Sequence, residues 1–267
     1  MNASAISEPF TPRGVSTFAH AKLGRLIVAQ LILALFAAAA VACFFYSACF
    51  PVVQAAIDNL PDSGQIASSQ LTWSGGSFQD LAEGHFLALD VDLDHSRQFH
   101  STADVQVEFG GDSVRVYSLF GYADFYYPTD DIIQFNRPEL EPLWAAWRAE
   151  ILFGIALAAF VTLPVTWWIL ATLYFLPVWL IGFFTNRDLD LRACWKLCGA
   201  ALLPGTLLMI AAIFLYGLGF FGLVTFGFIF VAHLVLDWFY LLFALPFFPR
   251  TSAAPVRGNP FKSAKVS

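Results

Sequence analysis

Residues 54–143, which begin QAAIDNLPDS and end RPELEPL, form a polar block between long apolar segments. The block holds fifteen acidic residues against three arginines and no lysine, so its formal net charge is −12. A field of this sign repels nucleic acid and anionic lipid headgroups, and it favours cations or a basic partner. The block is therefore predicted to be the water-facing domain of the chain, and nucleic acid is excluded as its ligand.

The remainder of the chain has the composition of a membrane protein. Of 267 residues, 58% are hydrophobic and only 13% are charged, against about 25% charged in soluble proteins. Residues 26–53 carry no charge and exceed the roughly 20 residues that a helix needs to cross a bilayer. We therefore predict a first transmembrane helix over residues 23–53.

The orientation follows from the charges that flank this first helix. Arg13, Lys22 and Arg25 precede it against Glu8 alone. Since basic residues stay on the cytoplasmic side, residues 1–22 are predicted to be cytoplasmic and residues 54–143 extracytoplasmic. A cleaved lipoprotein signal ending at Cys43 is the alternative. It is disfavoured because the apolar run continues well past that cysteine, as in a helix that is retained.

Three further spans are predicted within residues 144–250. The apolar block 151–184 has 34 residues, about 51 Å as a helix, which is too long for one upright span and too short for two full ones. One span over about residues 148–172, followed by a bent interfacial segment, fits best because Pro164 and Pro177 disturb helices. Two short spans remain the alternative.

Residues 192–216 and 220–247 supply the third and fourth spans, joined by Gly217-Leu218-Gly219 into an antiparallel pair. A cytoplasmic loop is expected near residues 185–192. The tail, residues 251–267, has basic residues and no acid, as a cytoplasmic end should. The predicted fold is an α-helical integral protein of a bacterial inner membrane. It has four transmembrane helices, and a small extracytoplasmic α+β domain with an antiparallel sheet lies between helices 1 and 2.

Period-two patterns indicate strands in the polar block. Residues 65–73 are predicted to form one strand, and residues 86–94 a second strand with one apolar and one acidic face. Residues 105–109 and 114–116 flank a Gly-Gly-Asp turn, which is typical of a hairpin. We expect the aromatic residues within 119–127 to close the core. A helix capped by Asn136, with Pro138 in its first turn, then leads into the second span.

Asp90, Asp92 and Asp94 form the first candidate site. On a strand these carboxylates lie about 7 Å apart in a row, and the calcium-loop pattern fails because His95 and Ser101 stand where Gly and the bidentate acid are required. The pattern favours a solvated strand face that contacts a partner or binds cations weakly. No metal and no cofactor is predicted.

His233 and Asp237 form the second candidate site, four residues apart in the fourth span and therefore on one helical face. They could hydrogen-bond each other, and ionisable groups at that depth often mark proton or ion pathways. The alternative is a structural polar clasp that moves nothing. The clasp is favoured because no other span supplies a charged partner.

Reactive motifs are absent from the sequence. It has no Gly-rich phosphate loop, no HExxH and no CxxC, and its four cysteines all lie in or beside the predicted spans (Cys43, Cys49, Cys194 and Cys198). Cys194 and Cys198 are four apart but lack the further ligands of a zinc site, so they are predicted to be packing residues. An enzyme is therefore not expected.

Two family resemblances bear on the layout. One span, an outside domain that opens with Leu60-Pro61-Asp62 and a strand, and a hydrophobic half resemble a bacterial four-span family, some members of which are associated with maltodextrin utilisation. Residues 190–197 (DLRACWKL), which lead into 200–204 (AALLP), are similar to Yip-type membrane proteins. Both resemblances imply a helical membrane domain without a known active site, so no functional residues carry over.

The leading hypothesis is a non-enzymatic inner-membrane protein whose extracytoplasmic domain senses or docks a ligand or a protein partner. The alternative is a small transporter or permease subunit that uses His233 and Asp237 for proton-coupled movement. An enzyme acting on lipid or cell-wall substrates ranks third.

Overall fold

The computed structural model describes residues 10–95 and 101–250. Within these residues, four helices are long and apolar enough to cross a membrane, and a small β-sheet region lies between the first and the second. The helical class and the place of the sheet domain are therefore as predicted. The predicted cytoplasmic tail, residues 251–267, and residues 1–9 lie outside the described residues.

The first candidate span is longer than predicted. Helices α2 (Leu23–Phe44) and α3 (Phe50–Asp58) are joined by a π-helical turn, Phe45–Cys49, into one run of 36 residues. At 1.5 Å per residue this is about 54 Å, more than the ~30 Å of hydrocarbon in a bilayer. Its last turns therefore continue into the sheet domain. A short helix that was not predicted, α1 (Pro12–His20), precedes it with Thr11 as its N-cap.

The other three candidate spans are α4 (Arg137–Phe184), α5 (Leu191–Gly217) and α6 (Leu223–Ala244), the last followed by a 3₁₀ turn. Helix α4 has 48 residues and continues through Pro164 and Pro177, so neither proline ends it. The predicted extent of the span, about residues 148–172, stays a prediction. A membrane helix tolerates proline when its surroundings or local adjustment satisfy the freed carbonyl. The unbroken helix favours one span here over two short ones.

Eight strands form two sheets. The three-stranded sheet has the order β2-β1-β8, and the five-stranded sheet has the order β3-β4-β5-β6-β7. The strands of the first sheet are β1 (Gly64–Ala67), β2 (Gln70–Trp73) and β8 (Ile133–Gln134); those of the second are β3 (Phe78–Glu83), β4 (Leu87–Asp92), β5 (Val105–Phe109), β6 (Ser113–Ser118) and β7 (Gly121–Tyr126).

The predicted single strand over residues 65–73 is in fact the hairpin β1–β2. Ser68 and Ser69 have φ angles of 51° and 61°, the left-handed values that a tight two-residue hairpin turn requires. The period-two pattern continues across the turn, because both strands present alternate residues to the same core. The turn itself contains no Gly, Asn or Asp to mark it in the sequence.

The central pairing of the larger sheet also differs from the prediction. Strands β4 and β5 are parallel, with Leu87 opposite Val105 and Val91 opposite Phe109, whereas a purely antiparallel sheet was expected. A parallel pair cannot be joined by a tight turn, so β4 and β5 need a longer connection, residues 93–104, of which residues 96–100 lie outside the described residues. The predicted hairpin β5–β6 is confirmed.

The core of the sheet domain lies between α3 and the apolar face of the larger sheet. Buried side chains come from α3, from β1 to β4, and from residues after β7 (Val52, Ala56, Ile57, Leu60, Ile66, Leu71, Leu81, Leu89, Val91, Tyr127 and Phe135). Of the aromatic residues expected to close this core, only Tyr127 is buried in it, and its hydroxyl donates to the Gly110 carbonyl at 3.0 Å. The others project from the domain, which corrects the prediction.

Helix α4 begins as predicted. The Oδ1 atom of Asn136 accepts a hydrogen bond from the Glu139 amide at 3.1 Å, and its Nδ2 donates to the Gly64 carbonyl at 3.2 Å. The same side chain therefore caps α4 and ties its first turn to β1. The sheet domain is thus attached to a long helix at each end.

The described residues fall into two compact units. One unit comprises residues 10–30, 165–205 and 234–250, and the other comprises residues 31–164 and 206–233. In the first unit, the polar Gln30 is almost fully buried. Its amide donates to the Gly199 carbonyl at 3.2 Å and accepts from the Trp168 indole at 3.1 Å. These two hydrogen bonds satisfy the Gln30 side-chain amide, the main polar group of the first candidate span, with uncharged partners. The second unit contains the sheet domain.

Candidate functional site

The edge strand β7 is the most exposed apolar part of the sheet domain. Within the described residues it pairs with β6 alone. Tyr122, Phe125 and Tyr126 are 55%, 60% and 75% exposed. Helix α3 packs on β3 and β4, at the other end of the sheet, so no helix of the core reaches β7. The result is an uncovered, aromatic strand.

The backbone of β7 is also open on its outer side. The Tyr127 amide donates to the Asp112 carbonyl at 3.1 Å, which fixes the phase of the antiparallel ladder. Because hydrogen-bonded and non-hydrogen-bonded pairs alternate, the N–H and C=O groups of Tyr126 and Asp124 point away from β6. Such an edge is a ready template for an additional strand.

The one charged residue of β7 is neutralised within the sheet. The Nε and Nη2 atoms of Arg115 donate to the two carboxylate oxygens of Asp124 at 2.6 and 3.2 Å. The Arg115 guanidinium also lies 4.8 Å from the centre of the Tyr122 ring. This bidentate hydrogen bond lowers the pKa of Asp124, so its carboxylate stays ionised and paired. The edge itself therefore carries no net charge.

The acidic strand face is largely buried, contrary to the prediction. Asp90 and Asp92 are only 1% and 2% exposed, whereas Asp94 is exposed. Asp90 lies beside Glu108 in the parallel register of β4 and β5, and Glu108 is also buried. The predicted solvated face therefore holds only for Asp94.

Both described ends of the connection between β4 and β5 contact polar side chains of the sheet. At its start, the His95 ring contacts the Glu108 carboxylate through Nδ1 and the Ser113 hydroxyl through Nε2. At its end, the Ser101 amide contacts the side-chain oxygen of Gln106. The described ends of the connection thus lie over the polar face of the sheet. A sequence pattern that repeats every two residues cannot reveal contacts of this kind, between residues far apart in the sequence.

Asp90 is the most perturbed acid of the sheet domain. Its Oδ1 accepts from Gln106 Nε2 at 3.0 Å, and its Oδ2 has no hydrogen-bond partner among the described residues. Burial raises the pKa of Asp90 to about 7; the Gln106 hydrogen bond opposes this rise, and the Glu108 carboxylate adds to it. No group of three or more metal-ligating side chains occurs within residues 10–95 and 101–250.

His233 and Asp237 both lie in α6 but differ in their surroundings. The Nδ1 atom of His233 contacts the Phe230 carbonyl of its own helix, and the ring is half-buried. Asp237 is 1% exposed, and its Oδ1 has no hydrogen-bond partner in the described part of the chain. The His233 ring therefore bonds within its own helix, and the role of the pair stays a prediction.

Comparisons of the chain with protein families, with curated proteins and with solved structures gave no match. The resemblances to the four-span and Yip-type families therefore remain expectations. The proposed function rests on the geometry of the sheet domain and the helices. Sequence reasoning missed the β7 edge because it assigned the aromatic residues after β6 to the core. Their alternation with small and acidic residues, directly after a short turn, was the available signal.

Proposed function

We propose that this chain is a non-enzymatic inner-membrane protein whose sheet domain, on the extracytoplasmic side, docks a partner protein by strand addition at β7. The observation that carries the proposal is the open edge with its exposed aromatic side chains. Strand addition supplies main-chain hydrogen bonds, while pockets for alternate side chains provide specificity. Aromatic residues are enriched at protein interfaces because they bury a large area with few rotatable bonds.

The negative charge of the sheet domain limits which partner segments it can bind. Residues 54–143 have a net charge of −12, and Asp130 and Asp131 lie shortly after β7 in the sequence. An acidic segment would be repelled from this surface, while a basic one would be attracted and steered to it. The proposed occupant is an extended segment that combines apolar and basic side chains.

The attachment of the domain suits a docking role. In the unit that holds the sheet domain, the Tyr216 hydroxyl at the end of α5 donates to the Asp104 carboxylate next to β5. The rings of Phe44, Phe86 and Tyr216 pack together, with centroids 4.8 to 5.5 Å apart. Contacts of this kind order the domain before binding, which reduces the entropy that docking would otherwise lose.

Site-specific photocrosslinking in intact cells tests the proposal. A benzoylphenylalanine at Phe125 of the full-length chain is expected to form an adduct with one protein. Mass spectrometry should place the linked peptide in an extended, basic segment on the extracytoplasmic side. The same probe at the exposed Asp62, which precedes β1 of the other sheet, is the matched control. Equal adducts from both positions, or none from β7, would overturn docking at this edge.

A transporter remains the second candidate, because the carboxyl group of Asp237 is buried in a candidate span and one of its oxygens has no hydrogen-bond partner among the described residues. Ionisable groups in such positions are costly and mark ion pathways in many transporters. Asp237→Asn in a folded, inserted protein distinguishes the two functions. If cells with Asp237→Asn behave like cells that lack the protein, while the β7 adduct still forms, transport is favoured. If these cells behave like cells with the original chain, docking is favoured.

A further inference from the structure

The turn between β6 and β7 carries the most exposed large hydrophobic side chain of the described residues. Leu119 and Phe120 form this turn, which we call the hairpin tip, and they are 57% and 95% exposed. The nearest charged residues along the chain are Arg115 and Asp124, and these two bind each other. The hairpin tip is therefore both apolar and uncharged.

The hairpin tip lies beside the first turn of α6. Leu119 lines one cavity together with Leu223 and Val224, which are the first two residues of α6. The tip and this end of the helix belong to the same compact unit. Since α6 is a candidate span, its first turn marks the level at which the span enters the membrane. The tip therefore lies at the level of the membrane surface.

A hydrogen bond gives the same placement for this end of the larger sheet. Ser118, the last residue before the tip, pairs with Val105 of β5. The carboxylate of the preceding residue, Asp104, accepts a hydrogen bond from the hydroxyl of Tyr216 near the end of α5. The strand ends next to the tip therefore face the turn that joins α5 to α6.

The turn between α5 and α6 has the same apolar character. Its residues Leu218 and Phe220 are both 72% exposed, and residues 197–232 contain no Asp, Glu, Lys, Arg or His. Aromatic and aliphatic side chains are favoured at the boundary between lipid headgroups and acyl chains. The hairpin tip and this turn thus present apolar side chains at one level of the molecule.

We propose that the hairpin tip inserts into the lipid leaflet on the side of the sheet domain, next to the turn between α5 and α6. The occupant is the bilayer because the tip lies at the start of a span, and lipid surrounds a span. Insertion removes Leu119 and Phe120 from water and attaches the sheet domain to the membrane at a third point, besides α3 and α4. The inference rests on the membrane location in the proposed function, but not on docking at β7.

The purified full-length protein in phosphatidylcholine nanodiscs provides the test. With benzoylphenylalanine at Phe120, irradiation is expected to give an adduct with one phospholipid, which the mass of the intact protein identifies. The same probe at Tyr126 is the matched control, because Tyr126 is also an exposed aromatic residue but pairs with Ser113 at the opposite end of the hairpin. At about 3.3 Å per residue, the two positions are about 20 Å apart, so the lipid adduct at Tyr126 should be several-fold lower.

A second pair of variants tests whether the apolar character of the tip holds it in lipid. A carboxylate opposes insertion into a lipid leaflet, so Leu119→Asp should lower the lipid adduct at Phe120 several-fold, whereas Leu119→Met should retain it. The probe at Phe228, an exposed residue five positions after the start of α6, reports insertion of the span. It should form the lipid adduct in every variant.

Equal lipid adducts at Phe120 and Tyr126, or an unchanged adduct in Leu119→Asp, would overturn insertion of the tip. The same holds if Phe228 forms a lipid adduct and Phe120 does not. An adduct at Phe120 that joins two protein chains would assign the tip to a protein interface and would also overturn the proposal. No lipid adduct at Phe228 would contradict the proposed membrane location itself, and this inference with it. A failed β7 crosslink in cells would contradict docking alone.

Discussion

Asp90 lies almost fully buried on the central strand β4, next to the buried Glu108 of β5. Burial raises its pKa from 3.8 to about 7. Between about pH 4 and pH 7 the folded protein therefore holds a proton at this site that the unfolded chain has released. Because the folded state binds more protons in this window, stability falls as the pH rises through it and levels off above it.

Asp90→Asn is expected to remove this dependence. The asparagine retains a carbonyl oxygen for Gln106 and cannot ionise, so the variant should equal the original chain near pH 4. Near pH 8 it should be more stable by a few kcal/mol, an order-of-magnitude figure from the shift in pKa. Thermal denaturation of the full-length protein in detergent at both pH values measures the difference.

Asp94→Asn is the matched control, because Asp94 lies in the turn directly after β4 and is exposed. It should show no pH-dependent gain. If Asp90→Asn is less stable than the original chain at pH 8, the ionised Asp90 carboxylate stabilises the folded state. The description of Asp90 as a neutral buried acid is then wrong.

At the scale of elements, the start of α4 depends on one side chain. Asn136 caps the helix through Oδ1 and holds the Gly64 carbonyl through Nδ2. Asn136→Ala loses these two bonds and a third, from Nδ2 to Gln134 Oε1 at 3.3 Å, and is expected to destabilise the sheet domain by about 1–2 kcal/mol. Asn136→Asp retains the cap and loses only the donor, so it should cost about half as much.

Thermal denaturation followed by circular dichroism compares the two Asn136 variants with the original chain. The order expected for the midpoints is the original chain, then Asn136→Asp, then Asn136→Ala. An alanine variant as stable as the original chain would show that the cap does not hold the domain to the helix.

Local signals predicted local elements well. The Asn136 cap and the β5–β6 hairpin follow from residues close in sequence, and both are present. The parallel pairing of β4 with β5 is not local, since its register is set across a connection of about a dozen residues, and it places Asp90 beside the buried Glu108. The aromatic residues after β6 were assigned to the core on composition, but α3 already covers the other end of the sheet. Amino-acid composition alone does not predict which residues of a sheet a helix will cover.

At the scale of the whole molecule, the orientation of the sheet domain can be tested with cysteine labelling. The sheet domain has no native cysteine, so Asp131→Cys introduces one at an exposed position. A membrane-impermeant maleimide should label it in intact cells. Asp188→Cys, exposed between α4 and α5, should be labelled only after permeabilisation, because basic residues flank that loop. The reverse pattern would place the sheet domain in the cytoplasm.

Four candidate spans, an ordered sheet domain and an open edge support the proposal of a membrane-anchored docking protein. Its docking step needs the outward amides of β7. Proline at Tyr126 removes one such amide without breaking the ladder to β6, because that amide does not pair with β6. Tyr126→Val loses the same ring and keeps the amide, so it is the matched control.

The most direct measurement is the yield of the Phe125 photocrosslink in intact cells for these two variants. If docking proceeds by strand addition, Tyr126→Pro abolishes the adduct, while Tyr126→Val retains a substantial part of it. An adduct of equal yield in the proline variant would contradict strand addition at β7, and with it the proposed docking function.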